Sequence, residues 1–429
     1  MKVLFVYPSF QRHAQAHPEL LSYVPMNEYL GSPSLGMACL AAVTPDTWQI
    51  EMRDDRLTPA DRSTDADVVA FSFFTAAASR AFELAAYFRS IGKKTVAGGI
   101  FPTAMPDDAM AHFDAVVVGE GEGIWPEVLK DVEHNTLQRR YESRACPLET
   151  LPLPKVSLYL DREGPGFEPD DYPVQLSRGC PLSCHSCILP TSMTRTLREF
   201  PIEHVVGQLD QLARHGKRAC LTEDTSWLPG KGNRLLMSLF DHLIETKQPA
   251  LVSYVGISMP MIVATPMAHL RKAREAGVTM FYLVGGFDPI TMRAFTGKDQ
   301  RALDRAYQAI AKCHEADIVP YTSFLFGQDA DDDGTVDRML EFADRSGIQK
   351  AEFAIFTPYP GTPSWKRLVA EDRILTREWC SYNDANVVYR PAQLTVDQVT
   401  DGYLRLWREF YASKAHFLNA AQAERTIQF

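Results

Sequence analysis

The chain has no run of eighteen or more apolar residues, so no segment reads as a membrane span. It is short of positive charge: 44 basic against 54 acidic residues give a net charge of −10. That balance argues against nucleic acid or any other generic polyanion as a partner. No G-x-G-x-x-G opens a helix after the first strand, which disfavours a nicotinamide dinucleotide site. Internal repeats and low-complexity segments are absent. Five of the eight cysteines (Cys39, Cys146, Cys220, Cys313, Cys380) follow no framework spacing, which fits a reducing, cytoplasmic setting. The apolar start "MKVLFVYPSF" is too short for a signal peptide core and reads as a buried strand.

What is present is a rhythm of strands and helices. A chain of 429 residues exceeds one usual core, so more than one domain is expected. Over residues 1–140, "KVLFVYP", "WQIEMRD", "DVVAFSF", "KTVAGGI" and "AVVVGEGEG" read as strands. "PSLGMACLAAV" and "SRAFELAAYFRSIG" read as helices between them. This βαβ order predicts a doubly wound parallel α/β sheet of Rossmann type. Ligands of such sheets bind beyond the carboxyl ends of the strands. Ser72, Thr75, Gly98, Gly99, Gly119 and Glu120 stand at those ends and are candidate ligand contacts. The competing explanation is that the glycines only make tight turns.

Residues 141–171, rich in Pro, Glu and Arg, read as a linker. A second αβ series over 172–375 starts with "YPVQLSRG" and ends with "KAEFAIFTPYPG". It is shorter than a full eight-fold barrel, and a partial (β/α)6-type barrel is expected. Residues 376–429 read as mainly helical. Their aromatic stretch "DGYLRLWREFYASKAHFL" is expected to pack as core or lid rather than to bind a partner.

"SRGCPLSCHSC" holds Cys180, Cys184 and Cys187 in a C-x3-C-x2-C spacing. Thiolates ligate zinc and iron–sulfur clusters alike. With His185 as a fourth ligand the loop would close a zinc site, and the chain would be a small-molecule-binding protein. Structural zinc sites usually come as two separated ligand pairs, however, and no second pair follows. A [4Fe–4S] cluster on three thiolates keeps one iron open for a small molecule.

The cysteine spacing resembles that of the radical S-adenosylmethionine superfamily, as do "LTEDTSW", "GGFDPITMRAFTGKD", "FLFGQDADDDGTVDRMLEFA" and "TPYPGTPSW" at matching places. "YPSF", "PSLGMACLAAV", "AGGIFPTAMPDD" and "VVVGEGEGIWPEVL" are similar to the cobalamin-binding domain that precedes the barrel in one subclass. The resemblance implies a [4Fe–4S] cluster on Cys180, Cys184 and Cys187, with S-adenosylmethionine on the open iron. It implies S-adenosylmethionine contacts from Glu223, Asp224, Ser258 and Asp288, and cobalamin at the carboxyl edge of the first sheet. It further implies an external electron donor of flavodoxin or ferredoxin type and a small-molecule substrate. Methyl transfer through cobalt is the implied activity.

Three features depart from the family pattern. Ser186 replaces the aromatic residue before the third cysteine, "YVGISMP" lacks the usual arginine, and "RDDRLTPADR" lacks the cobalt-ligating histidine. They keep open cleavage of the other carbon–sulfur bond, which would transfer a 3-amino-3-carboxypropyl group without cobalamin, as in arsinothricin-type carbon–arsenic bond formation.

Overall fold

The computed structural model describes residues 1–11, 16–20, 23, 32–57, 63–143, 145–163, 169, 171–221, 224–228, 231–248, 251–283, 288, 290–412 and 414. The first sheet is made of β1 (Lys2–Tyr7), β2 (Gln49–Asp54), β3 (Val68–Ser72), β4 (Lys94–Gly98), β5 (Ala115–Val118) and β6 (Arg140–Glu142), with Val, Phe and Ala filling β1, β3, β4 and β5. All pair parallel, in the order β2-β1-β3-β4-β5-β6. The two-residue side-chain period sends Val3, Phe5, Val68 and Ala70 to one face, under the helices Leu35–Ala42 and Trp125–Glu133. Leu4, Val6, Val69 and Phe71 go to the other face, against the helix Ala78–Ser90. The order reverses between β1 and β3, the kind of switch point where doubly wound sheets take ligands. The stretch from 141 starts inside β6 and then runs through the short helix Ser157–Leu160.

The second unit begins with β7 (Asp171–Pro173). The sequence stretch "YPVQLSRG" does not continue as one strand. After Val174, whose N–H donates to the Cys220 carbonyl, the chain leaves the sheet to form β8 (Ser177–Arg178). β8 pairs antiparallel with β9 (Arg198–Glu199). The remaining strands are β10 (Arg218–Leu221), β11 (Val252–Ile257), β12 (Met280–Leu283), β13 (Val319–Phe326) and β14 (Lys350–Ile355). With β7 they form a parallel six-stranded sheet in chain order, open between β7 and β14, hence a half-barrel. Pro173, which cannot donate to a ladder, sits on the edge strand that tolerates it.

Amphipathic helices such as Ile202–Ala213, Gln300–Glu315 and Thr335–Arg345 cover the convex face. The last helix, Val396–Ala412, packs Trp407 and Phe410 on Phe353 at 5.4 and 5.5 Å between ring centroids. The aromatic stripe is therefore core as far as Tyr411, and the expectation for residue 413 and for 415–429 lies outside the described residues. Just before it, Trp379 returns to the first domain, 5.3 Å from the Phe101 ring. Among the described residues no helix is long and apolar enough to cross a membrane.

Candidate active site at the junction of the two sheets

The three thiols lie on the loop that joins β8 to β9. Two backbone features close its base. The Cys180 N–H donates to the Thr194 carbonyl at 3.1 Å. Gly179 has φ +90°, and a Cβ there would lie 2.7 Å from the Thr194 carbonyl oxygen and in hard contact with that of Thr196. Only glycine fits both the conformation and the space. Cys180 is buried, Cys184 and Cys187 are half-buried, and none is in a disulfide.

The far side of the loop is bound to the "TPYPGTPSW" turn. The Ser364 N–H donates to the His185 carbonyl at 3.0 Å, and the buried hydroxyls of Ser186 and Ser364 are 2.8 Å apart. Gly361 of the same turn (φ +84°) is crowded from two sides. A Cβ there would lie 3.0 Å from Thr191 Cγ2, just after the third cysteine, and 3.3 Å from Ala104 Cβ of the first domain. The cysteine loop, the signature turn and the helix that follows Gly98-Gly99 therefore meet at one point.

A second junction is ionic. Arg178, two residues before Cys180, donates to Glu122 Oε1 at 2.6 Å and to Glu120 Oε2 at 3.3 Å. Arg198 on β9 pairs with the other oxygen of Glu120 and donates to the Cys146 carbonyl at 2.7 Å. The Arg178, Glu120 and Glu122 side chains are at most 10% exposed. Burial, then the neighbouring Glu122 carboxylate, push the Cys39 thiol beside them up to about 12, which makes it inert. Glu120 thus ties the glycine loop of the first sheet to the base of the cysteine loop.

At the carboxyl edge of the first sheet, Gly99 (φ +100°) and Gly119 (φ +95°) are turn glycines. A Cβ would approach Phe73 N and O at 2.8 Å and the Ser143 carbonyl at 2.9 Å, respectively. Gly98 and Gly36 have nothing nearer than 3.9 and 3.8 Å, so the edge beside Ser72 is lined by small groups. Thr75 is buried in the 3-10 turn Thr75–Ala77. At the ends of β1 and β2, Arg56 pairs with Asp54 at 2.6 Å and lies 4.5 Å over the Tyr7 ring. A strand edge of serine, threonine and glycine, open at Gly36 and Gly98, fits a broad planar cofactor approaching the backbone. The three thiols of one loop are a donor set that fits a cubane with one open position. Among the described residues no group of three or more His, Cys, Asp or Glu side chains is gathered around a single metal position.

The half-barrel places its own candidates unevenly. Glu223 lies outside the described residues, and Asp224 opens the 3-10 turn Asp224–Trp227. Ser258 is buried at the carboxyl end of β11, where it starts the helix Met259–Ala264. Asp288 is buried, and its carboxylate accepts from Ile290 N at 2.8 Å, Thr291 N at 3.1 Å and Thr291 Oγ1 at 2.5 Å. Burial raises its affinity for a proton, against these donors. It caps its own turn. Cys313 is fully buried between helix and sheet, its thiol pushed up to about 12 by burial, and Cys380 is exposed near Ser79.

Sequence reasoning missed Arg178, Arg198, Glu122 and Ser364. A charged pair far apart in the chain leaves no local spacing to detect it. The only available sign was that Arg178 and Ser364 lie within the two motifs "SRGCPLSCHSC" and "TPYPGTPSW".

The B12 binding domain family model matches residues 31–129. The chain is 25% identical to bacteriochlorophyllide d C-8(2)-methyltransferase of Chlorobaculum tepidum over 83% of its own length and 80% of that protein. It is 23% identical to the hopanoid C-2 methylase of Rhodopseudomonas palustris, covering 87% and 71% of the two chains. The fold matches the radical S-adenosylmethionine methyltransferase TsrM from Kitasatospora setae with cobalamin and a [4Fe–4S] cluster bound. That match has a TM-score of 0.68 at 12% identity and covers 99% of each chain.

Proposed function

We propose, for a chain that joins a B12-binding domain to the fold of radical S-adenosylmethionine methyltransferases, that it is a cobalamin-dependent enzyme of this kind, methylating a small molecule. The observation that carries this is the meeting of three parts. Thr191 of the cysteine loop, Gly361 of the signature turn and Ala104 of the first domain pack within one contact shell. This contact supports a position of the three thiols between the carboxyl edges of the two sheets.

In this proposal Cys180, Cys184 and Cys187 hold the cluster, and Glu223, Asp224 and Ser258 contact S-adenosylmethionine. Ser72, Thr75 and the open edge at Gly98 receive cobalamin. When bound, these groups supply the electron that cleaves S-adenosylmethionine and the carrier for its methyl group. The chain's own residues hold the parts in register: Ser186 and Ser364 fix the loop, while Arg178, Arg198, Glu120 and Glu122 fix the two units. Gly99 and Gly119 shape the cofactor edge, and Asp288 orders the turn after β12. The cluster draws its electron from a flavodoxin- or ferredoxin-type donor.

Anaerobic reconstitution tests the proposal. The chain should take up about four iron and four sulfide, as a cubane requires, together with cobalamin. Turnover should yield 5′-deoxyadenosine and S-adenosylhomocysteine. Zinc without iron uptake, or methylthioadenosine as sole nucleoside product, would overturn it.

A further inference from the structure

Although 54 of the 429 residues are acidic, none lies between Asp171 and Glu199 or between Glu352 and Glu371. These two acid-free stretches are the ones joined at the cysteine loop, through the Ser364 N–H on the His185 carbonyl and the paired hydroxyls of Ser186 and Ser364. Their cations divide into two sets. Arg178 and Arg198 pair with the carboxylates of the domain junction, and Arg367 pairs with Asp329 and Glu371. Arg195 and Lys366 are exposed, and among the described residues neither is in an ion pair. Arg195 Nη2 lies 3.5 Å from the Pro181 carbonyl, next to Cys180. Lys366 stands two residues after Ser364. Ser183 and His185, on either side of half-buried Cys184, are exposed as well.

A chain of net charge −10 repels an acidic partner at long range. The surface of the cysteine loop is the exception, because it carries unpaired cations and its own stretches hold no carboxylate. Exposed Pro181 and half-buried Leu182 give it a small apolar centre inside that cationic rim. Redox encounters use small interfaces of this kind, and complementary charge sets their speed more than area does. We propose that the exposed face of the cysteine loop, rimmed by Arg195 and Lys366, is the docking surface for a small acidic electron-carrier protein. There the half-buried Cys184 and Cys187 bring the metal centre within reach of a flavin carried at the partner's surface. One electron passes from the reduced flavin to the cluster; the flavin is oxidised by one electron, the cluster is reduced by one, and no bond breaks. The inference rests on the cluster assignment proposed above.

Calorimetry and anaerobic stopped-flow of the reconstituted enzyme with an acidic flavodoxin test it. Arg195→Glu/Lys366→Glu should weaken flavodoxin binding and slow cluster reduction by the reduced flavodoxin, each at least tenfold at about 20 mM NaCl. At about 0.5 M NaCl, where charges are screened within a few ångströms, the gap should shrink to about twofold. Arg301→Glu/Arg305→Glu, an equal charge change on the exposed side of the helix Gln300–Glu315, should stay within about twofold of the parent at either salt. If the missing carboxylates served only the cluster's own charge, donor affinity would not move in Arg195→Glu/Lys366→Glu. That result, an equal loss in Arg301→Glu/Arg305→Glu, or a loss that persists at high salt would each overturn the inference. Iron content and the final extent of reduction by dithionite are measured on the same samples. Full loading with unchanged donor binding sinks this inference alone, whereas a parent chain that takes up no iron sinks the assignment beneath it.

Discussion

Ser186 stands before the third cysteine, where the resembled enzymes carry an aromatic ring, and its small hydroxyl meets that of Ser364 at 2.8 Å. Both are buried, so removing one strands the other. Ser364→Ala should cost roughly 1–3 kcal/mol, the penalty of an unsatisfied buried hydroxyl. The double variant Ser186→Ala/Ser364→Ala should be less destabilised than the sum of the singles, by about 1 kcal/mol in a double-mutant cycle of urea unfolding. Strict additivity would contradict the contact. The presence of Ser186 was legible in the sequence; its partner, 178 residues away, was not. Asp288 shows the same limit, because spacing does not reveal that its carboxylate accepts from Ile290 N and Thr291 N.

At the scale of elements, the hairpin β8–β9 depends on Gly179. Gly179→Ala should displace the loop base and lower iron incorporation at least severalfold, measured as iron per chain after reconstitution. Normal incorporation would contradict the steric argument. The turn after β13 carries a pH signature. Asp331 accepts from Gly327 N and Gln328 N, both at 2.8 Å, yet burial pushes its carboxyl up to about 6 from an ordinary 3.8. The folded state therefore holds this proton more tightly than the unfolded state. Its stabilisation is full below about pH 4 and is lost as pH rises through 6. Melting temperatures of the parent chain should fall relative to Asp331→Asn between pH 5 and pH 7; parallel curves would contradict the shift. β1 to β5 and β10 to β14 were legible as buried or alternating apolar runs, whereas β6 and β9, three and two residues long and mostly charged, were not. The β7–β8 break was not, because "YPVQLSRG" keeps its alternation through the point where the chain leaves the sheet.

For the whole molecule, the units are joined by a buried ion-pair cluster and by aromatic packing of the returning carboxyl-terminal segment. Arg178→Met leaves Glu120 and Glu122 with one charge partner fewer in a buried site, an effect of about 3–5 kcal/mol. Arg178→Lys should recover only part of the loss, because one ammonium nitrogen replaces the two guanidinium nitrogens that reach Glu120 and Glu122 separately. Denaturant unfolding of both variants checks this; a loss below about 1 kcal/mol for Arg178→Met would contradict the latch. The two αβ series and their order were legible from hydrophobic periodicity, whereas the way they dock was not, since it rests on charges and glycines far apart in the chain. In the proposed reaction the first domain carries the methyl group on cobalamin while the cysteine loop supports the radical chemistry. Incubation of the reduced, reconstituted chain with methyl-deuterated S-adenosylmethionine, followed by mass spectrometry of the extracted cobalamin, tests it most directly. The label is expected on the bound cobalamin. Unlabelled cobalamin accompanied by methylthioadenosine would contradict it.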